Sequence, residues 1–217
     1  MTHRLLLHIV LLAALTAACG SDTTGTDPGG GTKRLFVEGH VDYEDGAAEF
    51  RISVQLAGAP VATAEVTVES SLGKVLLAAM PDGNYAGVQA GWGDEFALEV
   101  TVGDDWLDAR INAPDPIVLV APDLAASFDP HLAPDLLVRV AWEGELADEV
   151  RVKTKDFDTT VRPDMGEIFI PAASFKDDEQ DLHIDRKNVV ALAGGAPGSS
   201  LDAEFKFKTK LSVTNPF

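Results

Sequence analysis

From residue 35 to the C-terminus, apolar side chains recur at every second position, and that spacing restricts the chain to strands with one buried face. Phe50, Ile52, Val54 and Leu56 alternate with Arg51, Ser53 and Gln55, and Ala64, Val66 and Val68 alternate with Glu65, Thr67 and Glu69. Phe96, Leu98, Val100 and Val102 do the same against Ala97, Glu99 and Thr101. Turn signals separate these runs at Gly58 to Pro60, Pro81-Asp82-Gly83-Asn84, Gly91 to Asp94 and Gly103-Asp104-Asp105. Short strands at this interval predict an antiparallel sandwich. Ile117 to Val120 does not alternate, so it is expected to close the unit as a strand buried on both sides or packed at a junction.

Pro122, Pro130 and Pro134 then interrupt the pattern. This segment marks a boundary between a first domain at 35–121 and a second at 122–217. Alternation resumes with Leu136, Val138, Val140 and Trp142, continues with Val150 and Val152, and returns at Ile168 and Ile170. Trp142 carries the core phase and is expected to be buried. The longest run, Leu201 to Val213, places Lys206, Lys208 and Lys210 on the face opposite Phe205 and Phe207, as suits a sheet edge that must not recruit neighbours. Residues 170–175 have room for one short helical turn. The fold class is therefore all-β, two tandem antiparallel β-sandwich domains, each of immunoglobulin-like size but without the Cys-Trp-Cys signature of antibody domains.

Ahead of the strands, Arg4 is followed by an apolar run from Leu5 to Ala18, which is too short to span a bilayer and has the length of a signal-peptide core. Ala17 and Ala18 stand directly before Cys19, the single cysteine of the chain. Ala17-Ala18-Cys19 resembles the lipobox of bacterial lipoproteins, with Thr16 where that family prefers Leu and Leu15 one place further back. The resemblance implies removal of residues 1–18, acylation of Cys19 and attachment to a membrane. Gly20 after the cysteine implies sorting to the Gram-negative outer membrane. Several acyl chains, at about 0.8 kcal/mol per buried CH2, make a stable anchor. Residues 19–34 then read as the acylated cysteine and a tether rich in Gly, Thr and Asp, with the composition of a flexible coil.

Of 217 residues, 35 are Asp or Glu and 17 are Lys or Arg, a net charge of -18. That balance argues against a nucleic-acid partner, because binding polyphosphate depends on Lys and Arg displacing counterions. Beyond the signal, His40, His131 and His183 lie in separate segments, far from the paired spacing of a zinc site. No Gly-x-Ser-x-Gly elbow is present, and Gly29-Gly30-Gly31 lacks the strand and helix that flank a phosphate loop. With Cys19 assigned to lipid, no nucleophile, base or metal set is readable, and a non-enzymatic protein without a cofactor is expected.

Two binding features remain. Trp92, between Gly91 and Gly93, and Tyr85 are candidates to stack on a sugar ring if exposed. Acidic turns offer oxygen ligands for calcium, with Asp123, Asp129 and Asp135 at the domain junction as the candidate set, although solvated turns account for the same composition. Gly58-Ala59-Pro60-Val61 leading into a strand, followed by Pro81-Asp82-Gly83-Asn84-Tyr85, resembles the carboxypeptidase-regulatory-like or transthyretin-like modules of exported bacterial proteins. That family implies a non-catalytic accessory module. The functional expectation is a lipid-anchored cell-envelope protein that binds a protein or glycan of the envelope. The alternatives are a calcium-dependent adhesion module and, third, an envelope hydrolase.

Overall fold

A computed structural model describes residues 29–217. The signal at 1–18, Cys19 and the tether up to residue 28 lie outside the described residues. The first half of the chain contributes β1 (Leu35–Glu44), β2 (Ala47–Leu56), β3 (Ala59–Pro60), β4 (Glu65–Ser70), β5 (Gly73–Leu76), β6 (Ala78–Ala79), β7 (Asn84–Ala90), β8 (Glu95–Val102) and β9 (Asp105–Asn112). The second half contributes β10 (Val118–Ala121), β11 (Leu137–Glu143), β12 (Glu149–Lys153), β13 (Asp158–Val161), β14 (Glu167–Pro171), β15 (Glu179–Ala191) and β16 (Ser200–Ser212). The fold is all-β, as the alternation predicts, and a short 3-10 turn falls at Ala172–Ser174.

Three sheets build two sandwiches that share one layer. A nine-stranded sheet runs in the order β13-β12-β15-β16-β1-β2-β7-β6, with β3 beside β2. The sheet β5-β4-β8-β9 covers one half of it, and the sheet β10-β11-β14 covers the other. The first core gathers Leu35, Phe50, Ile52, Phe96, Leu98 and Ile111; the second gathers Val140, Trp142, Val152, Ile170, Phe175 and Ile184. The β15–β16 hairpin is long enough to serve both. Its turn end gives Val190, Leu192, Leu201 and Ala203 to the first core, and its open end gives Leu182, Leu211 and Val213 to the second. The halves meet where β1 pairs with β16 in parallel, from Glu38 opposite Ser200 to Tyr43 opposite Phe205.

Three sequence expectations are corrected. Residues 201–213 do not form an edge, because β16 lies centrally between β15 and β1. Its lysines instead meet acids on neighbouring strands: Lys206 lies 3.4 Å from Asp42, Lys210 lies 2.9 Å from Glu179, and Lys208 pairs with Glu44. Residues 117–120 are not enclosed either. Only Ile117 is buried, while Val118 and Val120 lie on the open face of an edge strand. Finally, the end of the tether is part of the fold. Asp108 N–H donates to the Gly30 carbonyl at 3.0 Å, Thr32 N–H to the Trp106 carbonyl at 3.0 Å, and Lys33 N–H to the Gly194 carbonyl at 2.9 Å. The glycines here permit close approach. A Cβ on Gly31 would lie 2.3 Å from the Gly194 oxygen, and one on Gly194 would lie 2.1 Å from the Gly30 oxygen.

Candidate functional site

Between β10 and β11 the chain crosses the end of the small sheet β10-β11-β14 and forms a groove. Asp129 starts a 3-10 turn by accepting the His131 N–H at 2.9 Å, and its second oxygen accepts the Asn215 amide at 2.9 Å. The Asn215 bond is the main cause that holds the Asp129 carboxyl below its usual range. The C-terminal tail is fastened alongside: Phe128 N–H donates to Ser212 at 3.1 Å, Thr214 N–H to Phe128 at 2.8 Å, and the Phe217 ring stacks on His131.

Next in sequence, Asp135 and Leu136 both adopt the left-handed region, at φ 52° and 54°. Such residues cost of order 1–3 kcal/mol each and persist only where the surroundings hold them. Apolar side chains around this turn face outward. Leu132 is 81% exposed, Leu136 52%, Leu137 40% and Phe169 50%. Pro122, Phe128, Leu132, Pro134, Leu137 and Phe169 line a groove of about 540 Å³. Asp129 and Asp135 stand at its rim, and Arg139, the cation there, is directed to Glu167 at 2.7 Å. Contiguous apolar surface of this kind marks interaction sites in soluble proteins.

The residues singled out from the sequence are not brought together. Trp92 sits between the two cores, with its ring against Tyr43, Phe96 and Phe205 at centroid distances of 5.5, 4.9 and 5.7 Å. Its indole N–H donates to the Pro114 carbonyl at 2.9 Å. Tyr85 is buried in the first core, where its hydroxyl accepts the Ala64 N–H and donates to the Val61 carbonyl, both at 2.8 Å. Asp123 accepts the N–H of Ala125 at 2.8 Å, so two of the three junction acids are occupied by their own turns. Among the described residues no three His, Cys, Asp or Glu side chains converge on a metal-sized volume. Cys19 lies outside the described residues.

The open face of the nine-stranded sheet carries the remaining polar chemistry. His40 Nδ1 lies 2.9 Å from Asp202, which Lys187 also approaches at 3.3 Å. A cleft of about 610 Å³ lies beside this pair, lined by His40, Arg51, Ser53, Asn84 and Tyr85 among others. Besides Asp202, His40 approaches the Glu38 carboxylate, at 4.0 Å from its Nε2. Further along this face, burial raises the carboxyls of Asp185 and Glu204 above their ordinary values, against the pull of nearby cations including Lys206.

The groove residues escaped the alternation argument for a local reason. Leu136-Leu137 places two large apolar residues in succession where a strand begins, and Phe169 lies out of phase between Ile168 and Ile170. Leu136, expected in the core phase of Val138 and Val140, is exposed together with Leu137, and Phe169 is exposed between Ile168 and Ile170. No protein-family model and no curated protein sequence matches this chain.

Proposed function

We propose that this chain is a lipid-anchored protein of the cell envelope, at the Gram-negative outer membrane, that works by binding and not by catalysis. Its partner is a protein segment with apolar side chains flanked by Lys or Arg. The observation that carries this reading is the groove under Leu132, Leu137 and Phe169: an apolar floor with Asp129 and Asp135 at the rim and its one arginine already paired. Apolar contact supplies affinity there, and the acidic rim selects a cationic flank. The Ala17-Ala18-Cys19 sequence supports the anchor.

The test uses two fluorescein-labelled peptides with the same leucine pair, one flanked by lysines and one by glutamates. The lysine peptide is expected to bind, to weaken with added salt, and to lose at least tenfold in affinity with Leu132→Glu or Phe169→Glu. Equal binding of both peptides, or no binding of either, would overturn the reading. The anchor is tested separately by Cys19→Ala, which should remove the protein from the membrane fraction or block its processing.

A further inference from the structure

The groove and the entry of the chain into the fold lie at opposite ends of the longest hairpin. At the turn end, Lys33 N–H donates to Gly194, and Ala196 N–H donates to Leu35 at 2.7 Å. At the open end, Phe128 bridges to Val213, Val213 N–H donates to Asp178 at 2.8 Å, and Phe217 N–H donates to Phe175 at 2.9 Å. The 13 residues of β16 separate these ends, and at about 3.3 Å per residue they span roughly 40 Å. The contacts of Gly30, Thr32 and Lys33 bring the clamped chain back to Gly29, beside Asp108.

We infer that the groove is presented at the end of the molecule away from the anchoring bilayer, so that its occupant is a protein in the aqueous compartment and not the membrane that holds Cys19. This rests on the anchor reading above. Covalent reach gives the physical reason. The link from Cys19 to Gly29 spans at most about 35 Å when fully drawn out. Standing the molecule on its groove end would place Gly29 roughly the span of β16 above the bilayer, at or past the full reach of that link. The acids at the rim act in the same direction, since an anionic leaflet repels them.

The experiment couples the full mature chain, from residue 19, through its single thiol to a maleimide lipid in phosphatidylcholine vesicles that carry an energy-acceptor dye on a headgroup lipid. A donor dye is attached through an azide-bearing phenylalanine placed either at Ala125, on the segment that forms the groove, or at Pro197, in the β15–β16 turn. Both positions are exposed. Energy transfer is expected to be several-fold stronger from position 197 than from position 125. Equal transfer, or stronger transfer from 125, would overturn the inference. Chemical coupling makes the outcome independent of acylation in the cell, which the Cys19→Ala fractionation judges by itself. As a second measurement, the uncoupled chain should not sediment with vesicles of phosphatidylcholine and phosphatidylglycerol. Sedimentation abolished by Leu132→Glu would assign the groove to lipid and overturn the inference as well.

Discussion

Arg186 Nε lies 2.7 Å from the Asp164 carboxylate, and neither side chain reaches solvent. Asp164 also accepts the Trp142 indole N–H at 3.2 Å and the Gly166 N–H at 2.8 Å, while Arg186 donates to the Asp115 carbonyl at 3.0 Å and to that of Glu145. One ion pair thus ties β15 of the shared sheet to β11 of the small sheet and to the segment joining the two halves. Breaking a buried pair strands a charge, so Asp164→Ala is expected to cost about 3–5 kcal/mol in urea unfolding. The double variant Asp164→Leu with Arg186→Met should recover most of that loss, because no charge is then left unpaired.

Trp92 should behave as a packing residue of both cores. Trp92→Ala is expected to lower stability by about 3 kcal/mol, since it removes a ring that touches Tyr43, Phe96 and Phe205. Trp92→Phe keeps a ring and forfeits chiefly the bond to Pro114, about 1 kcal/mol. Chemical denaturation distinguishes the two. Equal effects would mean that the indole N–H, and not the ring, carries the contribution.

The glycines beside β9 predict a local effect. A side chain on Gly31 collides with the Gly194 carbonyl, so Gly31→Val should detach residues 30–33 at a cost of about 1–3 kcal/mol. Hydrogen exchange should then accelerate at the amides of Thr32, Lys33 and Asp108, while amides deep in β8 and β16 keep their protection. Unchanged exchange at Asp108 would contradict the contact.

Asp185 and Glu204 give the pH dependence its sign. Burial is the main cause that raises both carboxyls above their ordinary values, so each binds its proton more tightly in the folded chain than in the unfolded one. Their ionised forms therefore destabilise the fold at neutral pH. That deficit is relieved as the pH falls through the raised values toward the ordinary carboxylate range. Asp185→Asn and Glu204→Gln should raise the melting temperature at pH 7, with the gain vanishing at a pH below the ordinary range, where the wild-type groups are neutral in both states. Thermal unfolding across a pH series checks this.

Leu136 holds φ at 54° with its side chain largely exposed. Glycine adopts that conformation without the steric cost. Leu136→Gly is therefore expected to raise stability by up to about 1 kcal/mol and to leave capture of the lysine-flanked peptide unchanged, since Leu136 does not line the groove. Unchanged or lower stability in urea unfolding would show that the backbone at Leu136 is not strained.

How much of this was legible follows from the range of the forces involved. Alternation is local, and it identified strands such as β2, β4 and β8 with their buried faces, because a side chain's direction along a strand repeats every two residues. Trp142, in the same phase, is buried. Pairing is not local. Nothing in residues 35–44 or 200–212 announces that β1 and β16 run side by side, and the lysines of β16 have the pattern of edge protection although acids of β1 and β15 lie opposite them. Arg186 occupies the apolar phase of β15, between Ile184 and Asn188, and only the approach of Asp164 from the loop ahead of β14 makes its burial tolerable.

The glycine run carries the same lesson. A Gly-rich composition permits a free coil and a close backbone contact equally, and the presence of Gly194 across from Gly31 decided for contact. The all-β class, the phase of the strands and the acidic balance are readable along the chain, since these depend on the order of side chains along one strand or on their sum. Long-range packing sets the rest: that two sandwiches share one sheet, that the half-buried Trp92 packs against both cores, and that the groove lies opposite the entry of the chain. Those relations join residues far apart in sequence, and chain entropy leaves them undetermined until folding closes the intervening loops.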